Sequence, residues 1–151
     1  MGFSFAKVAE ELGISSEEYA KLESGDPELE EWSPKLAWIA VKLQKPMSRL
    51  ISETGRREKG HREKGHCGAL VKKNRTEKAI SKEILVEQMN SGEASDLIAF
   101  TSDDLDLIEA GDSPLERLAP NLLKFSELID QPIFNLFCPC GIWYSKLEDY
   151  P

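Results

Sequence analysis

The sequence predicts an all-α protein, and three observations lead to this prediction. Apolar residues recur at intervals of three and four along most of the 151-residue chain, which is the period of an amphipathic helix. Serine, threonine and glycine stand where these segments begin and end, as helix caps do. Residues 14–51 also align without a gap to residues 100–137, with 10 identities in 38 pairs, so one helical module occurs twice. Almost no strand is expected.

Caps and prolines divide the first copy into four predicted helices, over residues 3–12, 16–25, 34–43 and 47–51. Gly13 and Gly25 suit the left-handed positions that end the first two helices. Ser33 suits the N-cap of the third helix, and Pro34 its first turn.

The segment between the copies has a different composition. Residues 53–68 contain a pentapeptide written twice and four glycines, which predicts a linker rather than a helix. A longer helix is predicted over residues 76–90, and the second copy then repeats the pattern over residues 93–100, 102–110, 120–129 and 133–137. The predicted division is a first module, a basic connector, a second module and a tail, over residues 1–52, 53–75, 76–137 and 138–151.

Charge is distributed unevenly along the chain. Residues 56–78 carry nine basic side chains against three acidic ones, whereas the whole chain has a net charge of −8, so the remainder carries −14. The sequence has no apolar run long enough to span a membrane and no signal-peptide pattern. Three cysteines suit a reducing compartment. We therefore expect a cytoplasmic protein that does not act at a membrane.

No motif for catalysis is apparent in the sequence. A phosphate-binding loop, a nucleophile elbow and a paired-histidine zinc motif are all missing. The carboxylates that occur in pairs lie on predicted solvent faces of short helices. We therefore expect a non-enzymatic protein that needs no cofactor.

One set of residues in the first copy resembles the Cro/C1-type (XRE) helix-turn-helix family: Phe3-Ser4, Val8-Ala9, Leu12–Ser15, Tyr19, Leu22-Glu23 and Gly25. The corresponding residues of the second copy are Ala94, Ile98, Thr101, Leu105, Ile108-Glu109, Gly111, Leu122 and Leu136. The resemblance implies two tandem Cro/C1 repressor-like modules, each with a third helix that enters the DNA major groove. The first copy begins at the second helix of the family pattern, so its first helix is missing, and another segment or a partner would complete it.

Acidic residues occupy the positions where the resemblance places base contacts. Glu17 and Glu18 lie there in the first copy, and Asp103 and Asp104 in the second. Carboxylates are repelled by a phosphate backbone, so these helices favour a protein partner, for example a basic one. In this hypothesis the four acids steer the partner and Trp38 anchors it.

Two alternatives stay open at the level of the sequence. The first is a DNA-binding transcriptional regulator or antitoxin, which would be a homodimer if a second copy supplied the missing helix. It would use these cations of the first module and the connector: Lys21, Arg56, Arg57, Lys59, Arg62, Lys64, Lys72, Lys73 and Arg75. The second, weaker alternative is a metal site among all the histidines and cysteines of the chain: His61, His66, Cys67, Cys138 and Cys140.

Overall fold

The computed structural model describes residue 2 and residues 4–58, 62–91 and 99–137. Every regular element in these ranges is helical, which confirms the all-α prediction. In chain order the elements are α1 (Phe5–Leu12), α2 (Ser16–Ser24), α3 (Pro27–Leu43), the 3-10 helix η1 (Met47–Leu50), α4 (His66–Glu77), α5 (Lys82–Met89), α6 (Ser102–Ala110), α7 (Leu115–Leu128) and the 3-10 helix η2 (Ile133–Leu136). None of these helices is long and apolar enough to cross a membrane.

The sequence repeat is visible in the helix boundaries. Helices α2 and α6 begin and end at positions 86 residues apart, and so do η1 and η2. Both α2 and α6 open with a capping box, formed by Ser15 with Glu18 and by Thr101 with Asp104. In each box the cap hydroxyl and the carboxylate three residues later satisfy two backbone N–H groups. The same local signals therefore build the same element twice.

The start of α3 corrects a sequence prediction. Ser33 does not cap a helix that begins at Pro34, because α3 begins at Pro27 and runs through Pro34. Asp26 is the N-cap, and its carboxylate accepts the backbone N–H groups of Glu28 at 2.9 Å and of Leu29 at 3.2 Å. A mid-helix proline removes one backbone hydrogen bond and its ring crowds the carbonyl of the preceding turn, yet the buried face of α3 continues on both sides of Pro34.

The connector also differs from its prediction. Its second half is not a linker, because α4 begins at His66, and the helix predicted over residues 76–90 is instead α5 from Lys82. Ala79 separates α4 from α5 in a left-handed conformation, with φ +54°. The buried face of α4 follows helical spacing: Cys67, Leu70, Val71, Asn74 and Arg75. Two of these five residues are polar, so the helix has no purely apolar stripe to reveal it.

The second copy departs from its predicted boundaries in the same way as the first. Helix α7 begins at Leu115 rather than at Pro120, which lies inside the helix. The last predicted turn is present as η2. Most of the helix predicted over residues 93–100, and the tail over residues 138–151, lie outside the described residues.

One hydrophobic core joins the two copies. Its buried side chains come from α3, η1, α4, α5, α6, α7 and η2. The largest of those that are fully buried are Leu36, Ile39, Leu43, Met47, Leu50, Ile51, Leu85, Leu105, Ile108, Leu115 and Ile133. A second, smaller cluster holds α1 on α2 and consists of Val8, Ala9, Leu12 and Tyr19. Phe5 meets the edge of the Tyr19 ring with centroids 4.8 Å apart. Phe125 of α7 packs against this second cluster.

Candidate interaction surfaces

The acidic first turns of α2 and α6 are only partly free. Glu17, Glu18 and Asp103 are exposed, whereas Asp104 is half-buried. The carboxylate of Asp104 accepts the backbone N–H of Thr101 at 2.9 Å and lies 3.2 Å from the ammonium group of Lys35. Two of the four acids predicted to steer a partner, Glu18 and Asp104, therefore already accept a backbone hydrogen bond, and Asp104 also forms an ion pair inside the protein.

Lys35 and the tryptophans of α3 belong to the body of the protein. The ammonium group of Lys35 lies 4.4 Å from the centre of the Trp32 ring and 3.4 Å from the Glu31 carboxylate. Trp32 is buried. Trp38 is half-buried and packs against the main core, so only part of its ring is available as the predicted anchor.

Several basic residues of the connector lie beside carboxylates, either of the connector itself or of the second copy. Lys73 is 3.4 Å from Glu53, and Lys64 is 3.6 Å from Asp112. The backbone N–H of Arg57 donates to Glu127 at 2.6 Å. The side chains of Arg56, Arg57, Lys64, Lys72 and Lys73 are exposed, as is Lys21 on α2, whereas Arg62 is half-buried and donates to the Ile51 carbonyl. Lys59 lies outside the described residues.

Arg75 is not available to a phosphate. It is buried, and its guanidinium forms two hydrogen bonds with Glu109 of α6, at 2.6 and 3.1 Å. Another N–H group of the guanidinium donates to the Ile80 carbonyl at 2.8 Å. Only 4% of the Glu109 side chain is exposed. The hydrogen bond to Glu109 raises the pKa of Arg75. This bidentate pair fastens α4 to α6.

The beginning of α4 is held by a carboxylate from α7. Glu116 accepts the backbone N–H groups of Cys67 at 3.3 Å and of Gly68 at 2.8 Å, which is the role of an N-terminal cap that α4 itself lacks. Gly68 lies directly on α6, because a Cβ atom there would be 2.0 Å from the Ile108 carbonyl oxygen. Helix α4 therefore docks at backbone contact distance.

Beside α2 of the first copy lies a groove of about 580 Å³. Four residues that line the groove align, in the repeat, with residues of the second copy. Those residues of the second copy contact α4 or the turn before it. The pairs are Leu22 with Ile108, Glu23 with Glu109, Asp26 with Asp112 and Glu30 with Glu116. The groove also reaches Leu136 and Phe137 at η2, just as α4 packs against η1. It is therefore the counterpart, in the first copy, of the place that α4 fills in the second.

The groove combines an apolar wall with an acidic rim. Its carboxylates are Glu18, Glu23, Asp26 and Glu30, and its cations are Lys21 and Arg117. Arg117 forms an ion pair with Glu28. Burial, together with a hydrogen bond to Glu23 and its charge, raises the pKa of Tyr19 to about 12.

The sequence predicts that the first copy lacks a helix, but the residues that line the place of this helix follow only from the contacts of α4 in the second copy. Glu23 and Glu30 are identical to Glu109 and Glu116, which bind α4. The role of Glu109 and Glu116 depends on their contacts with α4, and most of α4 lies in the segment predicted as a connector. Among the described residues, a helix contacts this pair of carboxylates in the second copy only.

Of the five candidate metal ligands, only His66 and Cys67 lie among the described residues. No group of three or more His, Cys, Asp or Glu side chains in these ranges is arranged to hold a metal ion. Cys67 is buried, and His66 Nε2 lies 3.6 Å from the Glu58 carboxylate. His61, Cys138 and Cys140 lie outside the described residues. Burial, then the charge of Glu116, raises the pKa of the Cys67 thiol from its ordinary 9.0 to about 12.

Cys67 is expected to make the protein less stable as the pH rises from about 9 to 12. In this range an unfolded chain releases the thiol proton that the folded chain retains, so the free energy of unfolding falls by about 1.4 kcal/mol per pH unit. Urea unfolding of the wild type and of Cys67→Ala at pH 8 and pH 10.5 measures the effect. The variant should lose less stability between the two pH values, and equal losses would contradict the prediction.

The chain matches none of the protein-family models, curated proteins or solved structures with which it was compared. The internal repeat supplies a comparison within the molecule instead. Because α2 and α6 share their length, the capping box and the closing glycine, what packs against one helix can be compared directly with what packs against the other.

Proposed function

We propose that this chain is a non-enzymatic interaction protein that binds a protein partner through its acidic helical surfaces. The observation that supports the proposal is the charge of α2 and α6. Helix α6 has no basic residue, and Lys21 is the only one in α2. Four acids stand in the first turns of these two helices. Such a surface attracts a basic partner and repels phosphate.

The acids divide into two kinds. Glu18 and Asp104 complete capping boxes and so stabilise their own helices. Glu17 and Asp103 are exposed and make no hydrogen bond that closes a cap, so their charge is directed to solvent. In this proposal these two acids contribute most to electrostatic steering, and the exposed part of Trp38 adds apolar contact.

Affinity capture with charge-reversed variants tests the proposal. The double variant Glu17→Lys/Asp103→Lys is compared with the wild type and with Glu11→Lys/Glu87→Lys, which reverses two exposed acids elsewhere on the surface. A specific partner should be captured by the wild type and the control, and its yield should fall at least about tenfold with the double variant. If every captured protein binds the two double variants equally well, the proposal that Glu17 and Asp103 steer a partner is wrong.

A DNA-binding regulator of the Cro/C1 type is the competing proposal, and one observation favours it. Arg56, Arg57, Lys72 and Lys73 stay exposed in the connector. Anisotropy titration against mixed-sequence duplex DNA at about 50 and 200 mM salt distinguishes the two proposals. Submicromolar binding that weakens steeply with salt, and that Arg56→Gln/Arg57→Gln reduces, would support DNA binding. No binding at either salt concentration favours the protein partner.

A further inference from the structure

We infer that the groove beside α2 binds one amphipathic, basic α-helix of a protein partner. The inference deepens the proposed function, on which it rests, by naming the kind of segment that is bound. It follows from the repeat, because α4 occupies the equivalent place in the second copy and shows which contacts such a helix makes.

The contacts of α4 define the ligand. Gly68 rests on the Ile108 carbonyl, so the bound helix needs a small residue where it crosses the Leu22 carbonyl. Arg75 follows seven residues later and pairs with Glu109, so an arginine two turns further along would face Glu23. The first amides of α4 donate to Glu116, and Glu30 is placed to accept those of the partner helix.

The groove and the place that α4 fills differ in how much of their carboxylates is exposed to solvent. The side chain of Glu109 is almost fully buried and Glu116 is half-buried against α4, whereas Glu23 and Glu30 are exposed. Leu22 is half-buried, but its counterpart Ile108 is fully buried. A helix in the groove would cover this apolar side chain and bring a cation to Glu23, as α4 does for the second copy.

Charge selects the class of helix. The rim of the groove carries four carboxylates, and one of its two cations is already paired. Helix α4 itself contains Lys72, Lys73 and Arg75 against Glu77 alone. The expected ligand is therefore a basic helix with an apolar face, and an acidic helix would be excluded by repulsion.

The probe for this inference is a fluorescent peptide with the sequence of residues 64–79, which contains α4. We expect the full-length protein to bind it saturably in an anisotropy titration. Glu23→Lys and Glu30→Lys should each weaken binding at least about tenfold, because each reverses a charge that pairs with the peptide. Glu11→Lys, the same charge change at an exposed position of α1 outside the groove, should bind within about twofold of the wild type. A peptide with Arg75→Gln should bind more weakly than the parent.

Four results would overturn the inference. They are no saturable binding, binding that ignores Glu23 and Glu30, binding only after removal of residues 138–151, and concentration-dependent self-association that Glu30→Lys abolishes. The third result would mean that this chain's own tail covers the groove, and the fourth that a second copy does. The proposed function is tested separately by Glu17 and Asp103, so a partner lost with that double variant while the peptide fails to bind would disprove the groove alone.

Discussion

Glu109→Gln is expected to lower the free energy of unfolding by about 3 kcal/mol, one of the two largest effects foreseen for a single substitution. The change keeps the size of the side chain and removes its charge. The guanidinium of Arg75 would then remain buried without its counter-ion, and an unpaired buried charge is costly. Chemical denaturation monitored by circular dichroism measures the loss.

The repeat supplies a matched control for this variant. Glu23→Gln makes the same chemical change at the equivalent position of α2, where the side chain is exposed, and it should cost less than about 1 kcal/mol. The double variant Arg75→Met/Glu109→Leu should recover much of the stability, since it removes both charges and fills the space with apolar atoms. Equal losses for Glu109→Gln and Glu23→Gln would show that the buried pair does not hold α4.

Gly68→Ala is expected to destabilise the protein by about 3 kcal/mol through overpacking. The added methyl group would lie 2.0 Å from the Ile108 carbonyl oxygen and 3.2 Å from the backbone nitrogen of Gly111. Backbone atoms cannot rotate away as a flexible side chain can, so α4 must move off α6. That movement would also lengthen the hydrogen bonds between Arg75 and Glu109. Thermal unfolding followed by circular dichroism measures the expected fall in melting temperature.

The neighbouring residue calibrates this prediction. Ala69 is exposed on the outer face of α4, and Ala69→Gly should cost about 1 kcal/mol from helix propensity alone. By propensity alone, Gly68→Ala would stabilise the helix. Any loss at position 68 therefore reports the contact between α4 and α6, and a more stable Gly68→Ala variant would contradict the docking geometry.

Local signals in the sequence were sufficient to place several elements. The caps at Ser15 and Thr101 and the closing glycines Gly25 and Gly111 mark where α2 and α6 begin and end. Pro46 and Pro132 likewise precede η1 and η2. These signals act within a few residues, so they can be recognised without a structure.

Other features depended on contacts between distant residues. The buried face of α4 includes Arg75, which is stable there only because Glu109 lies opposite, 34 residues away in the sequence. The beginning of α4 likewise depends on Glu116, which is 48 residues from Gly68. A glycine-rich, basic composition predicts a linker. The part of this segment that forms α4 is helical because of these long-range partners. For the same reason the lining of the groove follows from the position of α4, although the sequence already predicts that the first copy lacks a helix.

The sequence repeat and the hydrophobic core have different boundaries. The repeat divides the chain into two copies, but side chains of both copies form one core. Helix α4 follows the first copy in the chain, yet its residues bind α6 and α7 of the second and also pack against η1 of the first. Cutting the chain between the copies would leave each half with an exposed apolar face. We therefore expect α3 through η2 to unfold as one cooperative body. The repeat gives two copies of a module, and we expect stability to belong to the pair.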